Sequence, residues 1–197
     1  GNIGDNATTV VDTVTIDAGA GDDTVDLGGV TATLATKATF SITLGDGVDT
    51  IILESDGSEQ GFTIEDFVVG NAGDKIDLLS AAADAVVGGA GAVTDYVEAD
   101  LATLTAGTIG GMIVHTGTDL TALTATALVA ETGAHTSGDK YWVIATDGTD
   151  AALFYVDDTA GTSNTNIDTG DVSLIATLIG VDDVSKLTVD NFTDFLA

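Results

Sequence analysis

Apolar and polar residues alternate through "VTATLATKATFSITL", positions 30–44, a period of two that predicts extended strands. Further on, "GFTIEDFVVGNAGDKIDLLS", positions 61–80, reads as short apolar strand pieces around an Asn-Ala-Gly turn. The period then lengthens. Val93, Val97, Leu101 and Leu104 fall on one face of a helix that Gly107 would close. Leu120, Leu123, Ala127 and Leu128 repeat the pattern ahead of Gly133, with Thr118 or Asp119 as N-cap. Between them "IGGMIVHTG" predicts a short strand. "KYWVIATDGTDAALFYV" predicts a hairpin, strands at 140–146 and 151–156 turning at Asp147-Gly148. "VSLIATLIGV" adds one more apolar strand. These patterns give a mainly β chain with some α, about a third of its second half helical. A short, irregular β-roll or β-sandwich-like part over residues 1–79 precedes an α+β part over 80–197.

The polar punctuation is not uniform. Asp-Thr-apolar triplets recur at Asp12-Thr13-Val14, Asp23-Thr24-Val25 and Asp49-Thr50-Ile51. Two of them close a longer frame. Ala18 to Asp26, "AGAGDDTVD", fits G-G-x-G-x-D-x-U-x with alanine in the first slot, and Leu44 to Ile52, "LGDGVDTII", fits it with leucine there. "GNIGDN" at the start is a degraded copy with Asn6 in the aspartate slot, about two nonapeptides before Asp23. The stretch between the two good copies breaks the frame and reads as an inserted hairpin or β-arch.

Glycines in such a frame allow positive φ, so that backbone carbonyls turn inward. An aspartate beside them adds charged oxygen, which suits a hard cation seeking six to eight oxygen ligands. The pattern therefore nominates Asn6, Asp12, Gly19, Gly21, Asp22, Asp23, Gly45, Asp46, Gly47 and Asp49 around calcium. Asp74 and Asp77, near Asp66, flank the next strand pieces and extend the set. The pairs Asp147/Asp150, Asp157/Asp158 and Asp168/Asp171 are open to two readings, calcium ligation or solvated loops.

Charge sharpens this picture. The 197 residues carry 32 acidic side chains against four lysines, a formal net charge of -28, yet 44% of residues are hydrophobic. That is a folded chain in an acidic coat rather than a disordered one. The coat disfavours nucleic acid and anionic membrane surfaces, both of which need basic patches. Self-repulsion at this charge opposes compaction unless counter-ions offset it. There is no cysteine, so thiolate metal sites and thiol nucleophiles are excluded, and there is no proline. No apolar run is long enough to span a bilayer, so no membrane insertion is expected. "GNIGDNATTV" has neither a basic nor an apolar signal region, so an export signal would lie elsewhere.

The nonapeptides resemble the RTX repeats of bacterial proteins secreted by a type I system. "IEDFVVGNAGDKIDLLS" is similar to the segment that follows those repeats in that family, through Ile64, Asp66, Phe67, Gly70, Asp74, Lys75, Ile76, Asp77 and Leu78. "ALFYVDD", "VSLIATLIGV" and the terminal "DFLA" resemble its C-termini. The resemblance implies a C-terminal, uncleaved export signal, passage through type I secretion machinery, and calcium-driven folding outside a bacterium. The chain departs from the family in having few and imperfect repeats.

Enzymatic signatures are missing: no H-E-x-x-H, G-x-S-x-G, P-loop or dinucleotide fingerprint occurs. His115 and His135 read as surface or core-edge residues rather than metal or haem ligands, even with Tyr141 near His135. The expectation is a non-enzymatic, calcium-stabilised structural protein, secreted or at the bacterial surface, that polymerises with itself into a surface layer, filament or biofilm matrix. The competing expectation is the C-terminal calcium-folding and export domain of a larger exoenzyme or adhesin.

Overall fold

The computed structural model describes residues 12–27, 38–54, 61–79, 96–103, 111–132, 140–157 and 167–193. Expectations that fall on Asn6 and the opening "GNIGDN", on Val93, Leu104, Gly107, Gly133, His135 and Asp158, and on the terminal "DFLA" lie outside these residues.

The first six strands are β1 (Asp12–Asp17), β2 (Thr24–Asp26), β3 (Ala38–Thr43), β4 (Thr50–Glu54), β5 (Phe62–Ile64) and β6 (Lys75–Leu79). They form three parallel rungs of a roll. Each rung places its first strand in one sheet and, after a turn, its second strand in a facing sheet. β1 pairs with β3 and β3 with β5, while β2 pairs with β4 and β4 with β6, all in parallel. Register puts Val14 beside Phe40 and Phe62, and Ile16 beside Ile42 and Ile64. These apolar columns meet Val25, Ile51 and Ile76 from the other sheet in one core.

Of the segment expected as an inserted hairpin or arch, the structure describes residues 38–44, and there the expectation is corrected: β3 is a rung of the roll. Its alternation was read correctly, but a period of two fixes only which residues face inward and leaves the pairing partner open. The repeat is also longer than two nonapeptides, since equivalent positions on the first two rungs lie 26 residues apart.

The remaining strands are β7 (Tyr96–Ala99), β8 (Met112–His115), β9 (Lys140–Thr146), β10 (Ala151–Asp157), β11 (Val172–Leu178) and β12 (Phe192–Thr193). β9 and β10 make the expected hairpin, and β11 pairs antiparallel with β10. β11 also pairs in parallel with β5, and β12 with β6, so these two late strands supply a fourth rung. One eight-stranded sheet therefore runs β1-β3-β5-β11-β10-β9-β8-β7, facing a four-stranded sheet β12-β6-β4-β2. Beyond the rungs, the large sheet buries both faces. Trp142, Ile144, Leu153 and Tyr155 enter the core shared with the roll, and Tyr141, Val143, Ala145, Phe154 and Val156 line a second core on the opposite face.

Two helix expectations change. Residues 96–99 form β7, and Leu101–Thr103 a single 3-10 turn. The 3.6-residue spacing of apolar side chains was overridden by pairing with β8 and by contact of Tyr96 with Phe192, ring centroids 5.9 Å apart. The second helix is shorter than its pattern: α1 spans Ala125–Glu131, capped by Thr124, whose hydroxyl accepts from the Ala127 amide. Leu120 is buried ahead of it, outside the helix, donating its amide to the Thr146 carbonyl. Thr118 and Asp119 therefore cap nothing helical. Among the described residues of the second half, α1 and short 3-10 turns are the helical content, well short of a third.

Candidate functional site: the stacked turns of the roll

Each rung crosses from one sheet to the other through a turn, and the turns stack. After β1, Gly19 and Gly21 take φ of 103° and 119°; after β3, Gly45 and Gly47 take 102° and 147°. These are left-handed conformations that only glycine adopts cheaply. The stack is held by backbone bonds: the Gly21 amide donates to the Asp46 carbonyl at 2.7 Å, and the Asp46 amide to the Gly19 carbonyl at 3.0 Å. It is also tight. A Cβ on Gly45 would collide with the Gly19 carbonyl, and one on Gly47 with that of Gly21, whereas Gly19 and Gly21 face open space.

A column of side chains runs along the inner end of these turns, one at the residue before each strand of the small sheet. Asp49 Oδ1 accepts the Asp23 amide at 2.8 Å, and Asp74 Oδ1 accepts the Asp49 amide at 3.0 Å. On the fourth rung the position is Asn191. Its Nδ2 donates to the Asp74 carbonyl at 2.8 Å and the Gly70 carbonyl at 3.1 Å, and its Oδ1 accepts the Gly70 and Thr188 amides at 3.0 Å each. Asp49, Asp74 and Asn191 each reach back to the preceding rung. Asp66 adds a second clasp, its two oxygens accepting the Leu44 and Gly45 amides at 2.8 and 2.9 Å. Asp22 reaches forward to the Val48 amide at 2.9 Å.

The electrostatics of the column are unbalanced. Asp49, Asp74 and Asn191 are fully buried. A buried carboxylate is costly unless hydrogen bonds or counter-charge offset its desolvation. Asp74 meets part of that cost, its Oδ2 accepting the Val68 amide at 2.8 Å. Burial nonetheless pushes its carboxyl above the ordinary range, and the charges of Asp49 and Asp66 add to the rise against the two amide bonds. Among the described residues, Oδ2 of Asp49 and Oδ2 of Asp23 are buried with no hydrogen-bond partner. The ion pairs among those residues lie elsewhere, Lys140 with Asp157 and Lys186 with Asp182 and Asp183.

The roll therefore brings together Gly19, Gly21, Asp22, Asp23, Gly45, Asp46, Gly47, Asp49 and Asp74 on one edge. Among the described residues no three histidine, cysteine or acidic side chains gather as a metal-holding group. A cation at this edge would have to draw on one or two carboxylates and the backbone carbonyls of the glycine turns. The two orphaned Oδ2 atoms fit such a ligand, since calcium takes carboxylate and carbonyl oxygen together.

The other nominated residues are placed elsewhere. Asp12 opens β1 beside Ala38, and Asp77 lies within β6 beside Thr193 of β12. Asp147 Oδ1 accepts the Thr149 and Asp150 amides inside the hairpin turn, and Asp150 Oδ1 accepts the Gly180 amide at 2.7 Å. Asp157 pairs with Lys140 at 2.9 Å. His115 is buried with both ring nitrogens engaged, by the Leu101 amide and the Thr118 carbonyl. Asp66 and Asn191 are the contributors to the edge that were not nominated as ligands. Asp66 was visible only as an acid near a strand, and no local pattern marks Asn191, 117 residues from its partner Asp74.

The arrangement defines a parallel β-roll whose turns stack glycine on glycine and whose buried acids clasp the preceding rung. Compared with protein-family models, curated proteins and solved structures, the chain matches none.

Proposed function

We propose that this is an RTX-like, calcium-stabilised structural protein, exported by a type I system and acting outside the bacterial cell, where copies assemble into a surface layer, filament or biofilm matrix. The observation that carries the calcium reading is the pair of buried, unpartnered carboxylate oxygens of Asp23 and Asp49 beside stacked positive-φ glycines, in a chain of net charge -28. A divalent ion there would supply the missing partner and relieve repulsion along the column. Assembly draws support from the first rung: among the described residues β1 and β2 each pair on one side only, and such edges are templates for further strands. No described helix is long and apolar enough to cross a membrane.

Sedimentation and electron microscopy with calcium, then with excess EDTA, test both parts. Large particles that dissolve on chelation are expected. A fold and melting temperature unchanged by EDTA overturn the calcium reading, and a monomer in calcium overturns assembly. The fourth rung favours a second reading, a calcium-folding export domain of a larger exoenzyme or adhesin. There β11 and β12, from the segment resembling a secretion tail, complete the roll itself. That reading predicts a calcium-dependent fold that stays monomeric.

A further inference from the structure

We infer that His115 is an acid-opened clamp on the edge of the eight-stranded sheet. Among the described residues β7 is the last strand of that sheet and is held by β8, with Ala99 opposite His115. Just past β7 the chain turns at Asp100, and Leu101 drops into the second core, fully buried. The His115 ring ties this turn down. Its Nδ1 lies 3.2 Å from the Leu101 amide, and its Nε2 lies 3.1 Å from the Thr118 carbonyl.

The two partners demand opposite roles. An amide only donates, so Nδ1 must be bare; a carbonyl only accepts, so Nε2 must carry the proton. The clamp thus exists solely as the neutral Nε2–H tautomer. A second proton has one place to go, Nδ1, where N–H would face N–H and the Leu101 amide would be left buried and unpaired. The acid beside the ring is Asp100, whose Oδ1 shares with ring Cε1 the space left by Gly117; the exposed Asp119 follows Thr118, and Glu98 sits opposite Val114 on the other face of the sheet. On the other side β9 presents Ile144 and Ala145, which do not titrate. The hydrogen-bond geometry forbids keeping the turn once a second proton arrives. Protonation of the ring should therefore loosen the Leu101 turn and free β7, whatever the ionic state of the roll.

The test is an NMR titration of the full chain at fixed calcium from pH 8 to pH 5. It follows the ring nitrogens by long-range proton–nitrogen correlation and the amides by hydrogen exchange corrected for intrinsic rates. The expected result is an Nε2–H ring at pH 8, followed by at least a tenfold loss of Leu101 protection as the ring gains its second proton. Tyr96–Ala99 should follow, with β10 amides unmoved. An Nδ1–H tautomer at pH 8, a ring that stays neutral to pH 5, or ring protonation with Leu101 protection intact would each overturn the inference. In His115→Asn, whose Oδ1 can accept the Leu101 amide without titrating, that protection should become pH-independent. If this variant fails to fold, the wild-type titration decides alone.

Discussion

The rungs β1–β6 and the central hairpin β9–β10 belong to the same molecule but are stabilised by different physics. In the hairpin nearly every residue is buried, because the sheet is covered on both faces, and Trp142 stacks against Tyr155 with ring centroids 5.0 Å apart. Its stability rests on packed apolar area, which neither pH nor salt alters much. The roll buries one face only; Thr13, Thr15 and Thr39 look outward, and its turns carry a column of carboxylates bonded to backbone amides. Under the calcium reading proposed above, its stability is conditional on charge. On the proposed calcium reading, a chain of net charge -28 is not uniformly sensitive to counter-ions, because the buried acids stack in the roll and not in the hairpin.

The largest effect should come from the charge-independent half. Phe154→Ala removes a fully buried side chain of the second core, on the face away from the roll, and should cost about 3–5 kcal/mol by denaturant unfolding, by the same amount with and without calcium. A loss that shrinks in calcium would erase the distinction between the two regions. Next comes a matched pair in the roll. Gly19 and Gly45 share almost the same φ, 103° and 102°, but only Gly45 has a carbonyl where a Cβ would sit. Gly19→Ala should cost about 1–2 kcal/mol from backbone strain alone. Gly45→Ala should cost clearly more and release the amides of β2 and β4 to hydrogen exchange, leaving β9 and β10 protected. Equal losses would mean that stacking contributes little.

A smaller effect concerns acid. The Asp74 carboxyl titrates above its ordinary 3.8 when folded, so the native state keeps a proton that the unfolded chain has lost. Its contribution to stability is then fully present below 3.8 and is lost as pH rises through the elevated folded value. In EDTA, melting temperature should fall on going upward through that window, and Asp74→Asn should flatten the slope. A steeper slope in the variant would reverse the assignment. The smallest effect is at the surface: Lys186 pairs with Asp182 at 3.1 Å in full exposure, and Lys186→Ala should leave the melting curve unmoved.

Legibility followed range. The hairpin was readable because its pairing is local: two apolar runs around Asp147-Gly148 leave one register open to them. The turn glycines and Asp23 and Asp49 were readable because the frame repeats nearby. The helix expected through Val93–Leu104 failed at β7 because the apolar spacing there serves a strand whose partner, β8, begins at Met112. Asn191 was hidden because its role depends on a rung formed by chain 117 residues away from Asp74.

By itself, the sequence determined which residues face inward, where the chain must turn through positive φ, and that acids crowd those turns; each follows from side-chain polarity, glycine's missing Cβ, and local spacing. Only the tertiary structure decided that β3 is a rung rather than an insert, that β11 and β12 close the roll, and that the acids align into a column. Those outcomes depend on which strand edges meet between residues far apart in the sequence, and backbone hydrogen bonds between parallel strands carry no residue-specific signature that a linear pattern could reveal.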